Sequence, residues 1–211
     1  CAFRGLEWRS PDNGVGSIWG GQNNNLLWEN VIFNNVQLTL ESNIAHSSGY
    51  SSNNIVRMCS SYGQYDVNGS FISGIFSAFT NLTVEDCVFW HCGWKVGVSR
   101  DVPVSQGGPN IYKHCMYLDN QRGTISSVRR NVMVDGSAAG LSLRGNHTCH
   151  HNVIIDCPTP EFISGGSASD SESPNGVTQR AFCQLVMGGA DINSALPRMI
   201  GFRSSDGTIR S

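Results

Sequence analysis

A short motif recurs along this chain, and its spacing limits the fold more than any other feature. In each copy an Asn, Asp or His is followed by three residues that are mostly aliphatic or aromatic. The key residue lies at 30, 86, 114, 131 and 152, and a degraded copy over residues 55–59 places a further one at 58. Short strands in such a repeat cannot bury an apolar face alone, so successive coils must stack into one core. The register predicts a β-solenoid whose changing step, 28 residues at first and then 17 and 21, reflects insertions at the turns.

The composition supports a turn-rich, all-β chain. Ser, Gly and Asn (27, 24 and 19) make up 70 of the 211 residues, whereas 39% of the residues are hydrophobic and only 14% are charged. The apolar fraction is too high for a disordered chain, and long helix formers are too few for a coiled coil. A net charge of −2 argues against a nucleic-acid partner. No apolar run reaches the roughly 18 residues that a membrane span requires.

Stacking turns each position of the motif into a column of neighbours about 4.8 Å apart. The residue after the key position is apolar or Cys, which predicts an interior column: Val31, Cys59, Cys87, Cys115, Val132 and Val153. The residue before it is polar, and its first four members alternate in charge, which predicts a solvated outer ladder: Glu29, Arg57, Glu85, Lys113, Arg130 and His151. The key residues suit tight bends, because Asn tolerates a left-handed backbone.

The cysteines and histidines give no recognised metal motif. Eight cysteines are too sparse for a disulfide-stapled miniprotein, and no pair has the spacing of a zinc ribbon or finger. We expect the cysteines of the interior column to act as small buried hydrophobes, although one pair could form a disulfide. On a strand, His147 and His151 share one side and His150 takes the other, so only two can converge. We expect no metal and no cofactor; a divalent cation such as calcium is the open alternative, without a motif.

Three stretches carry a resemblance to a known family: residues 81–89 (NLTVEDCVF), 114–117 (HCMY) and 140–145 (GLSLRG). They resemble right-handed parallel β-helix repeat proteins of the pectate-lyase-like superfamily, in particular a bacterial and phage-associated group. The resemblance covers about residues 1–166. It implies an all-β, single-stranded, right-handed parallel β-helix whose relatives bind or act on acidic or other complex polysaccharides.

This reading divides the chain into three parts. Residues 1–166 are expected to form the coils of the parallel β-helix, residues 167–180 a flexible loop, and residues 181–211 a last coil or a C-terminal cap and tail. A small helix around Ala190–Leu196 is one form that this cap can take. Residues 3–8 already have the pattern of a strand, so we expect a fragment of a longer β-helix that lacks one cap.

The first candidate site lies in the longest insertion between strands, which carries Trp90, His91, Trp94, Lys95 and Arg100. Sugar rings stack on aromatic faces, so the two tryptophans are the candidate substrate-binding residues. The His, Lys and Arg are candidate catalytic residues, because their chemistry suits an acidic glycan. The alternative is that both indoles pack under a long loop while the charged side chains are solvated.

The second candidate set is His114, Tyr117 and Asp119, which we expect one coil further along. Arg144 follows in the next copy of the motif and, if exposed, can pair with a uronate carboxylate. All four are candidate catalytic residues. The alternatives are a structural turn histidine at 114 and a salt bridge from Arg144 to Asp119 or Asp135.

Asp135 and Asp156 form the best candidate carboxylate pair for hydrolysis. Each lies four residues after a key position, in successive coils, so stacking in register would make them near neighbours. The alternative is that both are polar turn residues.

These features predict a polysaccharide lyase or glycosidase that acts on an extracellular, acidic glycan and is secreted or virion-associated. A lyase needs a base and a cation that neutralises the uronate carboxyl group, whereas a hydrolase needs two carboxylates. The alternative is a non-catalytic structural or adhesive module, such as a phage tail-fibre or tailspike segment that binds surface carbohydrate as a homo-oligomer, for example a trimer. The expected missing cap and the low charge favour this alternative. A third reading is a carbohydrate-binding solenoid without catalysis.

Overall fold

The computed structural model describes residues 1–10, 16–19, 24–41, 51–65, 73–78, 80–110, 112–164, 179–188 and 202–204. Within these ranges the chain is almost entirely β-structure, with one 3-10 helix at Val104–Gln106. The strands are β1 (Ala2–Arg4), β2 (Glu7–Arg9), β3 (Gly16–Trp19), β4 (Leu27–Glu29), β5 (Ile32–Asn34), β6 (Val36–Glu41), β7 (Ser51–Arg57), β8 (Ser60–Tyr62), β9 (Ile75–Ala78), β10 (Thr80–Glu85), β11 (Val88–Trp90), β12 (Met116–Arg129), β13 (Val132–Val134), β14 (Ala139–His150), β15 (Val153–Ile155), β16 (Thr159–Ser164), β17 (Gln179–Phe182), β18 (Leu185–Met187) and β19 (Phe202–Ser204).

The strands stack in parallel on three faces. The first face consists of β1, β4, β7, β10, the C-terminal part of β12, the C-terminal part of β14, and β17. The second face is a separate seven-stranded sheet of β2, β5, β8, β11, β13, β15 and β18. The third face consists of β3, β6, β9, the N-terminal parts of β12 and β14, then β16 and β19. This stacking of coils confirms the predicted all-β parallel β-helix.

Two columns of left-handed residues bend the chain between the faces. The bend between the first and second faces has positive φ angles at Gly5, Asn30, Met58, Asp86, Arg130, His151 and Cys183. We call this the first turn column. The second turn column, between the second and third faces, has them at Asn35, Gly63, His91, Asp135, Asp156 and Gly188. Left-handed backbone is costly for residues other than Gly, and Asn and Asp tolerate it best.

The predicted register is therefore correct at 30, 58 and 86 and wrong beyond them. Arg130 and His151, rather than Asn131 and Asn152, take the next left-handed positions. His114 is not a turn residue of this column at all, because β10 pairs directly with β12 at Glu85 and Arg129. The motif at 114 lies at the start of the long strand β12, on the third face.

This shift corrects the predicted interior and exterior. Asn131 and Asn152 are buried in the column that begins with Val31, Cys59 and Cys87. The Asn131 amide nitrogen donates to Asn152 Oδ1 at 3.1 Å, so two polar side chains continue an apolar column by bonding to each other. Val132 and Val153, predicted to be interior, are instead half-buried residues that alternate with buried ones on the second face. Lys113, predicted to be solvated, is fully buried.

The charge ladder on the first face is partly as predicted. Glu29 forms salt bridges with Arg4 at 2.6 Å and with Arg57. Glu85 pairs with Arg129 at 2.7 Å, so Arg129 takes the place that the sequence assigned to Lys113. These pairs are partly exposed, and each contributes at most about 1 kcal/mol.

The core is a single column of apolar side chains along the axis. At one end Phe3 stacks on Trp28 with ring centres 4.2 Å apart, and further along the interior contains aliphatic residues and the thiols. All eight cysteines are free. The hydrogen bond between Cys157 and Cys115, and then burial, raise the pKa of the Cys157 thiol. The Cys157 thiol is therefore protonated and packs as a small hydrophobe.

The C-terminal part adds strands to the same faces. β17 pairs with β14, β18 pairs with β15, and β19 pairs with β16, so residues 179–188 continue the coils. Most of the predicted loop at 167–180, and the predicted helix around Ala190–Leu196, lie outside the described residues.

Candidate functional sites

The first candidate site is an excursion of the chain between β11 and β12, over residues 91–115. It leaves the second turn column at His91 and folds back over the neighbouring coils. Gly93 allows this, because its φ is 91° and a Cβ there would lie 2.6 Å from the Lys113 Cβ. A larger residue would push the excursion off the coil, so glycine is required at this position.

Asp135 fastens the excursion to the helix. Its carboxylate accepts hydrogen bonds from His91 Nδ1 at 2.6 Å and from Arg100 Nη2 at 2.5 Å, and its backbone oxygen accepts one from Trp94 Nε1 at 3.0 Å. The same Arg100 nitrogen reaches the backbone oxygens of Gly136 and Asp156, each at 3.1 Å. This network holds side chains that are far apart in sequence in one fixed arrangement.

The bonding of His91 leaves it poorly suited to act as a base. Its Nδ1 faces a carboxylate and its Nε2 faces the backbone oxygen of Lys95 at 3.2 Å, and both of these groups are acceptors. Both ring nitrogens are therefore occupied by contacts within the protein, and the side chain is only 9% exposed. The ring is also stacked on Trp94, with centres 4.0 Å apart.

The same network keeps Asp135 ionised. Burial would raise the pKa of this carboxyl group, but the hydrogen bonds from His91 and Arg100 outweigh burial, and the pKa is lowered from its ordinary 3.8. Asp135 and Asp156 do occupy equivalent positions in consecutive coils, because Val134 pairs with Ile155. A carboxylate with a lowered pKa is nevertheless a poor proton donor, which argues against the acid role that hydrolysis requires.

The two tryptophans of this region differ in exposure. Trp94 is only 4% exposed and contacts both His91 and Arg100, so it packs under the excursion, as the structural alternative predicts. Trp90 is 48% exposed beside Tyr62, and Lys95 is exposed. Trp90 is thus the tryptophan whose ring remains available to a sugar.

The second candidate site lies on the outer side of the third face. Met116 and Leu118 point into the core, so the alternating Tyr117 and Asp119 lie on the other side of β12. Arg144 on β14 is the register partner of Asp119, and its Cζ atom lies 5.4 Å from the centre of the Tyr117 ring. The structure brings these three predicted residues together.

Aromatic rings frame the phenol of Tyr117. It stacks on His114 with centres 5.7 Å apart and on Phe76 of the preceding coil with centres 5.4 Å apart. Phe76 was not among the residues predicted from the sequence; the pairing of β9 with β12 places it beside Tyr117. Only the correct register would have revealed it.

The protonation states at this second site are set mainly by burial. Burial, and then the charge of Arg144, lowers the pKa of His114 to about 3, so this ring is neutral. Its Nδ1 accepts the backbone N–H of Ala139 at 3.3 Å, which leaves Nε2 as the protonated nitrogen. Burial also raises the pKa of Tyr117, so its hydroxyl keeps its proton.

Arg144 has one unsatisfied donor. Its Nε is buried and has no hydrogen-bond partner among the described residues. Buried donors are nearly always paired in folded proteins. The Arg144 side chain as a whole is partly exposed. Its guanidinium suits a bound carboxylate, because the planar fork matches the two carboxylate oxygens.

The three clustered histidines do not converge as the sequence predicted. His147 is buried on β14 and its Nε2 bonds to the backbone oxygen of Arg144 at 2.7 Å, with burial lowering its pKa to about 4. His150 and His151, not His147 and His151, come together. Among the described residues, no group of three or more His, Cys, Asp or Glu side chains is arranged to hold a metal ion.

The outer side of the second face is unexpectedly apolar. From β11 to β18 both outward positions of every strand are apolar, and five large residues of this face are 40–51% exposed: Ile32, Val88, Trp90, Leu185 and Met187. The sequence pattern does not reveal this surface, because the residue after each key position was expected in the interior.

Comparisons with protein-family models, with curated proteins and with solved structures gave no match. Across the ranges that the structure describes, no helix has the length and apolar character needed to cross a membrane.

Proposed function

We propose that this protein binds and processes an acidic extracellular polysaccharide on the outer side of its third face, at Tyr117, Asp119 and Arg144. The observation that carries the proposal is the partly exposed Arg144 side chain, whose guanidinium lies beside the Tyr117 ring. A uronate carboxylate would pair with this guanidinium, and a sugar ring would lie against the aromatic residues. A secreted or virion-associated location follows from such a substrate.

A lyase mechanism suits these residues better than hydrolysis. Arg144 would neutralise the uronate carboxyl group, which makes the adjacent carbon-bound proton easier to remove. Asp119, the register partner of Arg144, is the candidate base, and the protonated Tyr117 hydroxyl is the candidate donor to the leaving oxygen. A glycosidase reaction would need a protonated carboxylic acid, and the lowered pKa of Asp135 argues against that role for it.

The test is activity of the full chain on a panel of uronate polysaccharides, followed by the ultraviolet absorbance of the unsaturated product and by release of reducing sugar. We expect Arg144→Ala and Tyr117→Phe to abolish product formation. Arg9→Ala, which removes an exposed arginine from the second face, should leave it unchanged. Absence of both signals on every polymer would refute the enzymatic proposal.

A second candidate function is a non-catalytic structural or adhesive module, such as a tail-fibre or tailspike segment. The apolar outer side of the second face favours it, because such a surface is stabilised by burial in an assembly. Light scattering of the wild type against Trp90→Lys tests this function. It predicts a homo-oligomer, such as a trimer, that the charged residue dissociates; a wild type that stays monomeric at high concentration would argue against it.

A further inference from the structure

Outside these sites, the imidazole rings of two consecutive residues, His150 and His151, contact each other. The Nδ1 atoms of His150 and His151 lie 2.8 Å apart at the first turn column. His150 ends β14, and His151 takes the following left-handed position with a φ of 57°. The change of backbone direction brings two consecutive side chains together, which a regular strand would place on opposite sides.

Phe182 of the next coil positions both rings. The His150 ring stacks on Phe182 with centres 4.9 Å apart and planes 9° apart, and the His151 ring meets the same residue edge-on. His151 is also held by its backbone N–H, which donates to the Phe182 oxygen at 3.3 Å. The arrangement of the two rings is therefore fixed by the fold rather than by their mutual contact alone.

We propose that His150 and His151 form a two-imidazole chelating site for a divalent transition metal ion such as Zn²⁺, with water in the remaining coordination positions. Two nitrogens bound to one tetrahedral zinc ion, each at about 2.0–2.1 Å, lie about 3.3 Å apart. The observed separation of 2.8 Å between the two Nδ1 atoms is shorter than this value, and a small rotation of the rings would bring them to it. Imidazole is a preferred ligand for zinc and neighbouring transition metals.

The binding step requires no reagent other than the ion. With both rings neutral, one Nδ1–H donates to the other Nδ1 in the present contact. Coordination needs a lone pair on each Nδ1. The proton of the donating Nδ1 therefore moves through water to the Nε2 of the same ring, and no net proton is released.

The nearby cations do not prevent this. Arg130 pairs with Asp86 at 2.7 Å, and Arg129 pairs with Glu85 at 2.7 Å, so both guanidinium groups are neutralised by carboxylates of the preceding coil. Asp86 and Glu85 also lower the local positive potential. A divalent ion therefore does not meet an uncompensated positive surface.

The experiment is calorimetric titration of the full chain with ZnCl₂. Cys1 and Cys183 are exposed thiols that bind zinc themselves, so the titration uses a Cys1→Ser/Cys183→Ser background. We expect one bound ion in this background, and an affinity that falls at least about tenfold in both His150→Gln and His151→Asn. Arg180→Gln, an exposed change on β17 that removes no ligand, should bind as the background does.

A second readout separates binding from misfolding. Zinc should raise the thermal unfolding midpoint of the background and of Arg180→Gln, but not of the two histidine variants, each of which should unfold cooperatively without zinc. Absence of binding in the background, or equal binding in all variants, would overturn the proposal. Arg144 belongs to the polysaccharide site on a different face, so a failure here leaves the proposed function standing, and the reverse also holds.

Discussion

The imidazole of His91 and the carboxylate of Asp135 meet across neighbouring coils at 2.6 Å, and this contact fixes the excursion over residues 91–115. The two residues are equivalent in the second turn column, so the stacking of coils alone places them side by side. Arg100 completes the pair from within the excursion at 2.5 Å. A histidine and an aspartate that resemble part of a catalytic site are thus better explained as the attachment of a loop.

Removing the charge of Asp135 should destabilise the protein and loosen the excursion. In Asp135→Asn the side chains of His91 and Arg100 lose a charged acceptor, which costs about 2 kcal/mol of the free energy of unfolding. The measurement is urea denaturation. Asp156→Asn is the matched control, because it changes the equivalent residue of the next coil and leaves the Asp156 backbone oxygen in place for Arg100. Equal loss in the two variants would show that the carboxylate of Asp135 has no special role.

The contribution of Asp135 should depend on pH in a defined direction. Its pKa is lower in the folded protein than the ordinary 3.8, so its stabilising effect is complete above that value and is lost as the pH falls through the folded pKa. The difference in unfolding free energy between wild type and Asp135→Asn should therefore be constant from neutral pH to about 5 and shrink below about 4. A difference that grows on acidification would contradict this assignment.

The sequence predicts the fold well where the step between coils is constant. The 28-residue step places Asn30, Met58 and Asp86 correctly, because no insertion intervenes between their strands at the first turn column. It fails at His114, since the excursion displaces the next copy of the motif onto another face. The length of an insertion does not reveal where in the coil the chain resumes.

The later errors have a different cause. Asn131 looks like a turn residue by its type, yet Arg130 takes the left-handed position, and Asn131 turns inward to bond with Asn152. The preference of Asn for a left-handed turn was outweighed by the hydrogen bond between the buried amides of Asn131 and Asn152 in neighbouring coils. Of the candidate sites, the adjacency of Asp135 and Asp156 followed from the register, whereas the Arg144–Tyr117 contact required the pairing of two long strands that the sequence pattern does not show.

The buried amides should be essential to stability. Asn131 Oδ1 accepts the backbone N–H of Cys87 at 3.0 Å, and its Nδ2 donates to the oxygen of Val84 at 3.0 Å. Asn131→Ala leaves these buried groups unpaired and should cost about 2–4 kcal/mol. Asn30→Gly, at an exposed left-handed position, should change the free energy of unfolding by much less. Similar urea midpoints for the two variants would contradict a structural role for the amide pair.

Acidification below pH 6.5 should destabilise the protein through its buried histidines. The pKa of His114 is lowered to about 3 and that of His147 to about 4, so the unfolded chain binds protons that the folded chain does not. Each such group reduces stability by up to about 1.4 kcal/mol per pH unit between its unfolded and folded pKa values. His114→Asn, whose Oδ1 can replace Nδ1 as the acceptor from Ala139, should show a smaller loss of unfolding free energy between pH 6.5 and 4. The wild type over the same pH range is the reference, and an equal loss in His114→Asn would contradict this prediction.

Met58 offers a stabilising substitution. It is 51% exposed and has a φ of 53°, in a column where Gly and Asn occupy other coils. Left-handed backbone costs a residue with a Cβ atom about 1–2 kcal/mol, and glycine does not have this cost. Glycine also increases the entropy of the unfolded chain, which offsets part of the stabilisation. Met58→Gly should therefore raise the free energy of unfolding by about 0.5–1 kcal/mol. Met58→Val should lower it, because a β-branched side chain tolerates positive φ poorly. Urea denaturation of both variants checks the order, and a destabilised glycine variant would show that contacts of the Met58 side chain outweigh the backbone strain.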